Sequence, residues 1–230
     1  MLDQYLSKGY YRLGPYVFTT DHIRHPEGNF PVVWLRYRLQ GNEPDKKQVR
    51  LLRGLGKFEL FLKPLKLTEE LERLFYRYKY MVSFDTSFSL QHLLYDEFDP
   101  ALLNEEIFPS SVLEVRSEGE LIAAGIIDLG EKSSAGIVNF YSPDHKKYSL
   151  GKALMVKKMM LSKELGMDFY YPGYIAYGFS KFDYKLFLGE DWAELYDPVS
   201  GEWVSYSKER LSEIGEGVLA RLGDGDGSLG

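Results

Sequence analysis

Hydrophobic positions in the first third of the chain recur every second residue. Between Val32 and Leu39, Val33, Leu35, Tyr37 and Leu39 share one side of an extended chain and Trp34, Arg36 and Arg38 share the other. A polar turn, Gly41-Asn42-Glu43-Pro44-Asp45, interrupts the pattern, and Phe58, Leu60 and Leu62 alternate again before Pro64. At Thr68 the period changes. Leu71, Leu74, Phe75 and Tyr78 follow the i, i+3, i+4, i+7 spacing of a helix packed on a core, with Thr68 as N-cap and Glu69 and Glu70 in the first turn, where the helix dipole favours acids. This change places a domain boundary near Leu67, with residues 1–66 as a small β-rich domain, and a short helix is predicted over Leu90 to Tyr95.

From Val112 onward the chain alternates between strands and helices. Val112 to Arg116 and Leu121 to Leu129 predict a hairpin around Ser117-Glu118-Gly119-Glu120, and Ala135 to Tyr141 predicts a third strand. A polar loop, Ser142 to Tyr148, leads into a helix from about Leu150 to Leu165 closed by Gly166, then a buried strand over Phe169 to Tyr171. Asp197-Pro198-Val199-Ser200-Gly201 predicts another hairpin turn, and Ser207 caps a last helix reaching Leu222. Residues 67–222 form the second predicted domain, and residues 223–230 are expected to be a flexible tail.

Composition narrows the chemistry. Hydrophobic residues make up 44% of the 230 positions, enough for a packed core. Cysteine is absent, which excludes disulfides, thiolate catalysis and Cys-ligated metal centres. The start, MLDQYLSKGYYRLG, lacks a basic segment followed by an apolar stretch, and the apolar runs are too short to span a bilayer, so a cytoplasmic protein without membrane contact is expected, as a monomer. Net charge is −6, yet two basic stretches stand out: Lys46, Lys47, Arg50, Arg53 and Lys57, then Lys146, Lys147, Lys152, Lys157, Lys158 and Lys163. Tyrosine, at 18 residues, is abundant, and it can pack a ring while offering a hydroxyl to a ligand.

Three segments could carry chemistry. Ser149-Leu150-Gly151 opens a helix whose unpaired N–H groups and dipole suit a phosphate; an ordinary lysine-rich solvated helix fits the same residues. Its Gly151-Lys152-Ala153 matches half of an acyl-coenzyme A pyrophosphate loop, but Tyr148 stands where that loop has Gln or Arg. Phe169-Tyr170-Tyr171-Pro172-Gly173-Tyr174-Ile175 suits either a pocket wall or core packing. Asp128 ends an apolar strand, where an acid needs a partner; it could bind an ammonium, act as a base, or bond to backbone.

Asp128, then Asn139-Phe140-Tyr141-Ser142-Pro143, Ser149-Leu150-Gly151, Tyr171-Pro172-Gly173-Tyr174 and Tyr184-Lys185, in this order and spacing, resemble the C-terminal domain of the arginyl-tRNA–protein transferases and their bacterial leucyl relatives. Gly9-Tyr10-Tyr11-Arg12-Leu13-Gly14 resembles that family's Gly-x-Arg-Arg-Ser-Gly segment with one arginine replaced by Tyr11, and His22 and His25 fall where the family has a Cys-x-x-Cys cluster. Pro172 replaces the family's Leu. The resemblance implies a mixed α/β chain with a GNAT-like (acyl-coenzyme A N-acyltransferase-like) catalytic domain behind the small β-rich domain. It implies transfer of an aminoacyl group, arginine in the first instance, from aminoacyl-tRNA to an acidic protein N-terminus, with no cofactor and no metal. On this reading Asp128, Tyr141 and Lys185 are catalytic, with Lys185 holding phosphate or supporting the oxyanion. Arg12, Ser149, Leu150, Gly151, Tyr171, Gly173, Tyr174 and Tyr184 bind substrate. Lys146, Lys147, Lys152, Arg50 and Arg53 follow the tRNA backbone. An acyl-coenzyme A N-acetyltransferase and a non-catalytic module that binds protein N-termini are the alternatives.

Overall fold

The alternating stretch before Leu39 forms the interior of a large sheet. In the computed structural model, which describes residues 1–82, 87–96 and 108–225, strand β4 (Gly28–Arg38) lies between β9 (Phe169–Ala176) and β10 (Ala193–Asp197). The spatial order is β11-β10-β4-β9-β8-β7-β6-β5, with β3 (His22–His25) also paired to β4. Here β5 is Glu59–Pro64, β6 Ser110–Ser117, β7 Glu120–Leu129, β8 Ser133–Tyr141 and β11 Glu202–Ser205. Strands β4 and β5, both before the boundary expected near Leu67, are thus hydrogen-bonded into one sheet with the later strands. The change of period at Thr68 marks the first helix of a layer, α3, and not a break in the sheet. A separate small ribbon joins β1 (Tyr11–Leu13) to β2 (Tyr16–Phe18).

Helices cover both faces. On one side α5 (Leu150–Glu164) and α6 (Lys208–Gly225) bury Met155, Val156, Met159 and Ile214 against Val33, Leu35 and Tyr37, and α2 (Lys46–Leu55) packs beside α5. On the other, α3 (Glu69–Met81) and α4 (Leu90–Tyr95) bury Leu71, Leu74, Phe75, Leu90 and Leu94 against Ala124, Ile126 and Phe140, and α1 (Leu2–Leu6) covers Trp34 and Tyr171. Each such large side chain removed from water contributes roughly 1.5–3 kcal/mol. Thr68 Oγ1 caps α3 through Leu71 N–H at 3.3 Å, as the sequence predicts. The hairpin turn at Glu118-Gly119 has both residues at positive φ, the two-residue geometry that matches strand twist. The last helix runs past Leu222 to Gly225, taking in the first residues of the expected tail; residues 226–230 lie outside the described residues.

The N-terminal segment is fastened by charge. Arg12 Nη1 lies 3.2 Å from Asp128 Oδ1, with side chains 2% and 0% exposed. Ser110 Oγ donates to the same carboxylate at 2.6 Å, while Arg12 donates through Nε to Gly14 O and through Nη2 to Leu94 O. All three guanidinium nitrogens and the carboxylate are therefore engaged, the condition under which a buried pair is tolerated. Arg12→Met leaves a buried carboxylate alone and should cost about 3–5 kcal/mol, whereas Arg12→Met/Asp128→Leu should recover part of that loss. Urea unfolding of the single and double variants checks this; a double variant no more stable than the single one would overturn it.

A second buried charge sits under the sheet. Lys158 of α5, 1% exposed, donates to Ile126 O at 2.9 Å and Val138 O at 3.4 Å, where β7 and β8 slip register. Burial pushes its pKa down to about 7 against the pull of Asp128, and burial does the same to Lys185, also to about 7. Between there and the ordinary value of 10.5 the unfolded chain holds more protons than the folded one. Stability therefore rises with pH through this window, by at most about 1.4 kcal/mol per unit for each lysine. Urea unfolding at pH 7.5 and 9 should show a smaller gain for Lys158→Met than for the wild type; equal gains would mean that Lys158 titrates normally.

Candidate active site

The site opens where two parallel strands part. Strands β8 and β9 pair only from Ser133–Ala135 to Phe169–Tyr171. Beyond that, β8 continues along β7 and β9 along β4, leaving a wedge-shaped gap between Gly136 and Tyr141 on one arm and Pro172 and Ala176 on the other. Both arms carry an irregularity at the divergence. On β9, Gly173 faces Leu35 but Tyr170 faces Tyr37, so one residue bulges at Tyr171-Pro172. Proline fits there because a bulge needs no ladder N–H, and the strand runs on through Gly173 at φ +103°, past the point where the sequence predicts it to stop.

Tyr11 closes the apex. Its hydroxyl lies 2.8 Å from Gly136 O and 2.8 Å from Tyr171 O, so one proton is shared between a carbonyl on each of the two strands where they part. Burial raises the Tyr11 pKa well above 10, with the neighbouring phenols of Tyr170 and Tyr184 and the Asp128 carboxylate adding to it, which keeps the group a donor. Gly136 is required at this point: a Cβ there would overlap Tyr170 Oη.

Farther out, the gap is lined by phenols and one amine. The Tyr141 ring packs on Tyr78 at 5.3 Å, and burial, then Tyr141 and Tyr184, push the Tyr78 phenol up to about 12. Burial also raises Tyr170, Tyr174 and Tyr184. Lys185, 8% exposed, donates to Tyr174 O at 2.8 Å from among the rings of Phe182, Tyr184 and Tyr174. The open end meets the start of α5. There Ser149 is left-handed (φ +52°, ψ +41°), its side chain caps nothing, and no acid occupies the first turn. A Cβ on Gly151 would stand 3.1 Å from Tyr141 Cε1, which ties the helix start to the gap wall. Near this junction Asn139 Oδ1 and Ser142 Oγ are buried without a hydrogen-bond partner among the described residues.

The two basic stretches, a hundred residues apart in sequence, meet here. Helix α2 packs against α5 and against the turn Pro143–Tyr148. Lys46, Lys47, Arg50, Arg53, Lys57, Lys146, Lys147 and Lys152 are all exposed. Among the described residues none of them has a carboxylate within 4.0 Å. The one acid of the turn, Asp144, is held by Arg77 at 2.7 Å.

Several expected site residues are placed elsewhere. Asp128 is fully buried and held by Arg12 and Ser110, so it cannot receive an incoming ammonium unless that pair is broken. Burial raises its pKa in spite of Arg12 and Ser110. Arg12, committed to that pair, is not free for substrate. Leu150 is core, and Tyr171 buries its ring on the opposite face against Trp203 and Phe169, contributing only its carbonyl to the apex. Tyr141, Gly151, Gly173, Tyr174, Tyr184 and Lys185 do converge. Sequence pattern assigns no site role to Tyr11 or Tyr78, since the resemblance puts Tyr11 at an arginine position and Tyr78 reads as core; Tyr170 enters only within the aromatic segment that suits a pocket wall or core, and Lys158 only within the basic stretch. His22 bonds Asp21, and His25 packs on Phe30 and Phe179.

The chain is similar to known proteins. The family model described as arginine-tRNA-protein transferase, C terminus, matches residues 66–190. An aspartate/glutamate leucyltransferase of Leptospira interrogans is 27% identical over 181 residues, covering 74% of this chain and 67% of the relative. One of Pseudomonas paraeruginosa is 24% identical over 184 residues, covering 76% and 77%. The crystal structure of FemX superposes with a TM-score of 0.52 at 11% identity, over 93% of this chain and 70% of that one, and is alike in fold. The parting parallel strands with α5 between them are the GNAT-like feature expected of the fold, and the family match takes in β6 to β9 with α5: the chain belongs to the arginine-tRNA-protein transferase family.

Proposed function

We propose that the protein transfers leucine from leucyl-tRNA to the α-amine of proteins that begin with aspartate or glutamate. Leucine replaces the arginine expected from sequence because the relatives from Leptospira and Pseudomonas are both leucyltransferases by name. The observation that carries the reading is the wedge between β8 and β9, lined by phenols and an amine and opening beside an unpaired basic surface. An acyl-coenzyme A reading is disfavoured by Tyr148, whose ring packs against Phe58 at 5.0 Å and offers no cation at the place of the loop's Gln or Arg.

The chemistry asks little of a nucleophile. The aminoacyl ester is already activated. The acceptor nitrogen attacks its carbonyl carbon, the C–N bond forms, the C–O bond to the ribose breaks, and the amine proton ends on the ribose oxygen. The site supplies position and a dry, donor-rich lining. The raised pKa values keep Tyr78 and Tyr184 protonated, as hydrogen-bond donors for the oxygen that gains charge, while Tyr11 spends its one proton on the apex carbonyls. The exposed cations of α2 and of residues 146–152 would follow the tRNA phosphates, with the terminal adenosine entering past Tyr141.

Purified protein should form product from leucyl-tRNA and peptides starting with Asp or Glu. Product from arginyl-tRNA alone would overturn the choice of amino acid, and none from any charged tRNA would overturn the function. Binding of leucyl-tRNA should weaken steeply with salt. Lys146→Ala/Lys147→Ala/Lys152→Ala should lower the log–log slope by about 0.7–0.9 for each phosphate left without its lysine, with the melting temperature unchanged. Arg50→Ala/Arg53→Ala should lower it as well, since α2 shares the face. An unchanged slope in both variants would put the tRNA elsewhere.

A further inference from the structure

We propose that Lys185 reads the acceptor's first side chain, its ammonium receiving the carboxylate of an N-terminal aspartate or glutamate inside the wedge. This deepens the leucyltransfer reading and rests on it.

The placement is unusual for a lysine. An ammonium has three donors, and Lys185 uses one, to Tyr174 O at 2.8 Å. That carbonyl lies on the arm of β9 from which β8 has departed, so the amine stands in the gap. Around it are aromatic rings: Phe182 at 4.6 Å, Tyr184 at 4.9 Å and Tyr174 at 5.4 Å from Nζ. Among the described residues no carboxylate lies within 4.0 Å of it, and only 8% of the residue is exposed. Asp183 pulls on this charge from beyond salt-bridge distance; in contact the cation has only ring faces and one carbonyl, so it is incompletely compensated, and an anion brought into the same box gains what water no longer supplies. The backbone is fixed for the task, since Tyr37 Oη donates to Lys185 O at 2.8 Å. A phosphate carries the same charge, but the tRNA backbone has an open basic face of its own, whereas this amine is buried among rings away from that face. The neutral amide of asparagine or glutamine would leave the cation uncompensated, and so a site of this kind selects on charge at equal size.

The test compares peptides differing only in an N-terminal Asp or Asn, with kcat/KM measured on leucyl-tRNA. The wild type should prefer Asp, and Lys185→Met should lower the Asp-to-Asn ratio at least tenfold, the Asn reaction falling far less than the Asp reaction. Lys185→Arg, which keeps the charge, should retain most of the preference. A Lys185→Met variant that loses both reactions by the same factor would overturn the proposal and leave Lys185 to the oxyanion. One that loses leucyl-tRNA affinity with the ratio intact would overturn it in favour of phosphate. Peptide binding without tRNA separates this from the function itself. Even if no charged tRNA supports transfer, the wild type should bind the Asp peptide more tightly than the Asn peptide, and Lys185→Met should not. If Lys185→Met fails to fold, acylation of Lys185 in the wild type, read by mass spectrometry, should be blocked by the Asp peptide and not by the Asn peptide; equal protection would sink the idea.

Discussion

Two parallel strands that pair for three residues and then part create a problem of unpaired backbone, and the solution to it organises this molecule. Carbonyls exposed along a split sheet each need a donor or water, because a buried unsatisfied acceptor costs about 1–3 kcal/mol. Here Tyr11 Oη serves Gly136 O and Tyr171 O together, and Lys185 Nζ serves Tyr174 O. At the register slip under the sheet, Lys158 Nζ serves Ile126 O and Val138 O. The side chains that keep the sheet open are thus the ones that give the opening its chemical character. Gly136 and the bulge at Tyr171-Pro172 are the covalent side of the same arrangement: one removes the Cβ that would collide with Tyr170, the other shifts the register of β9 against β4 just before Tyr174, whose carbonyl Lys185 takes up.

Burial then sorts the titratable groups by type. Phenols taken out of water hold their protons more tightly, and amines release theirs more easily. Around the wedge the phenols of Tyr11, Tyr78, Tyr174 and Tyr184 are consequently held protonated at neutral pH, and the one amine, Lys185, is pushed down to about 7. No unpaired carboxylate is needed to balance the proton in aminoacyl transfer, which fits the structural employment of Asp128. Its charge is spent on Arg12, and through Arg12 on anchoring the segment that delivers Tyr11 to the apex.

The sequence made legible what depends on period and on caps. The stripe of α3 behind Thr68, the hairpin at Glu118-Gly119, the run from β8 through α5 to β9, and the facing of Val33, Leu35 and Tyr37 away from Trp34 and Arg36 all follow from spacing. Helix α2 is equally readable but hidden by its charge: Asp45 and Gln48 form a reciprocal capping box, and Lys46 through Leu55 is strongly amphipathic, yet the segment draws notice only as a basic stretch. The site is harder. Tyr184, Lys185, Tyr174 and Tyr141 are found by motif order, but motif order also brings in Asp128, Arg12 and Tyr171, whose partners come from segments roughly 80 to 160 residues away and cannot be inferred from local pattern. Lys158 lies on a helix with lysines on several sides, and only packing tells the buried one from its exposed neighbours.

Those long-range partners also decide what the smallest working unit is. The family match spans residues 66–190, which includes both arms of the wedge. It omits β4, the strand on which the β9 arm leans from Val32 to Arg38, and Tyr11, whose hydroxyl caps the apex. It omits Arg12, without which Asp128 is a lone buried charge, and α2, which carries half of the basic face. Without β4, the β9 arm past Tyr171 would have a free edge on both sides and no reason to hold its bulge. The wedge is therefore a property of the joined halves: the later segment supplies the residues that line it, and the earlier one supplies the strand and the hydroxyl that keep it the same width from one molecule to the next.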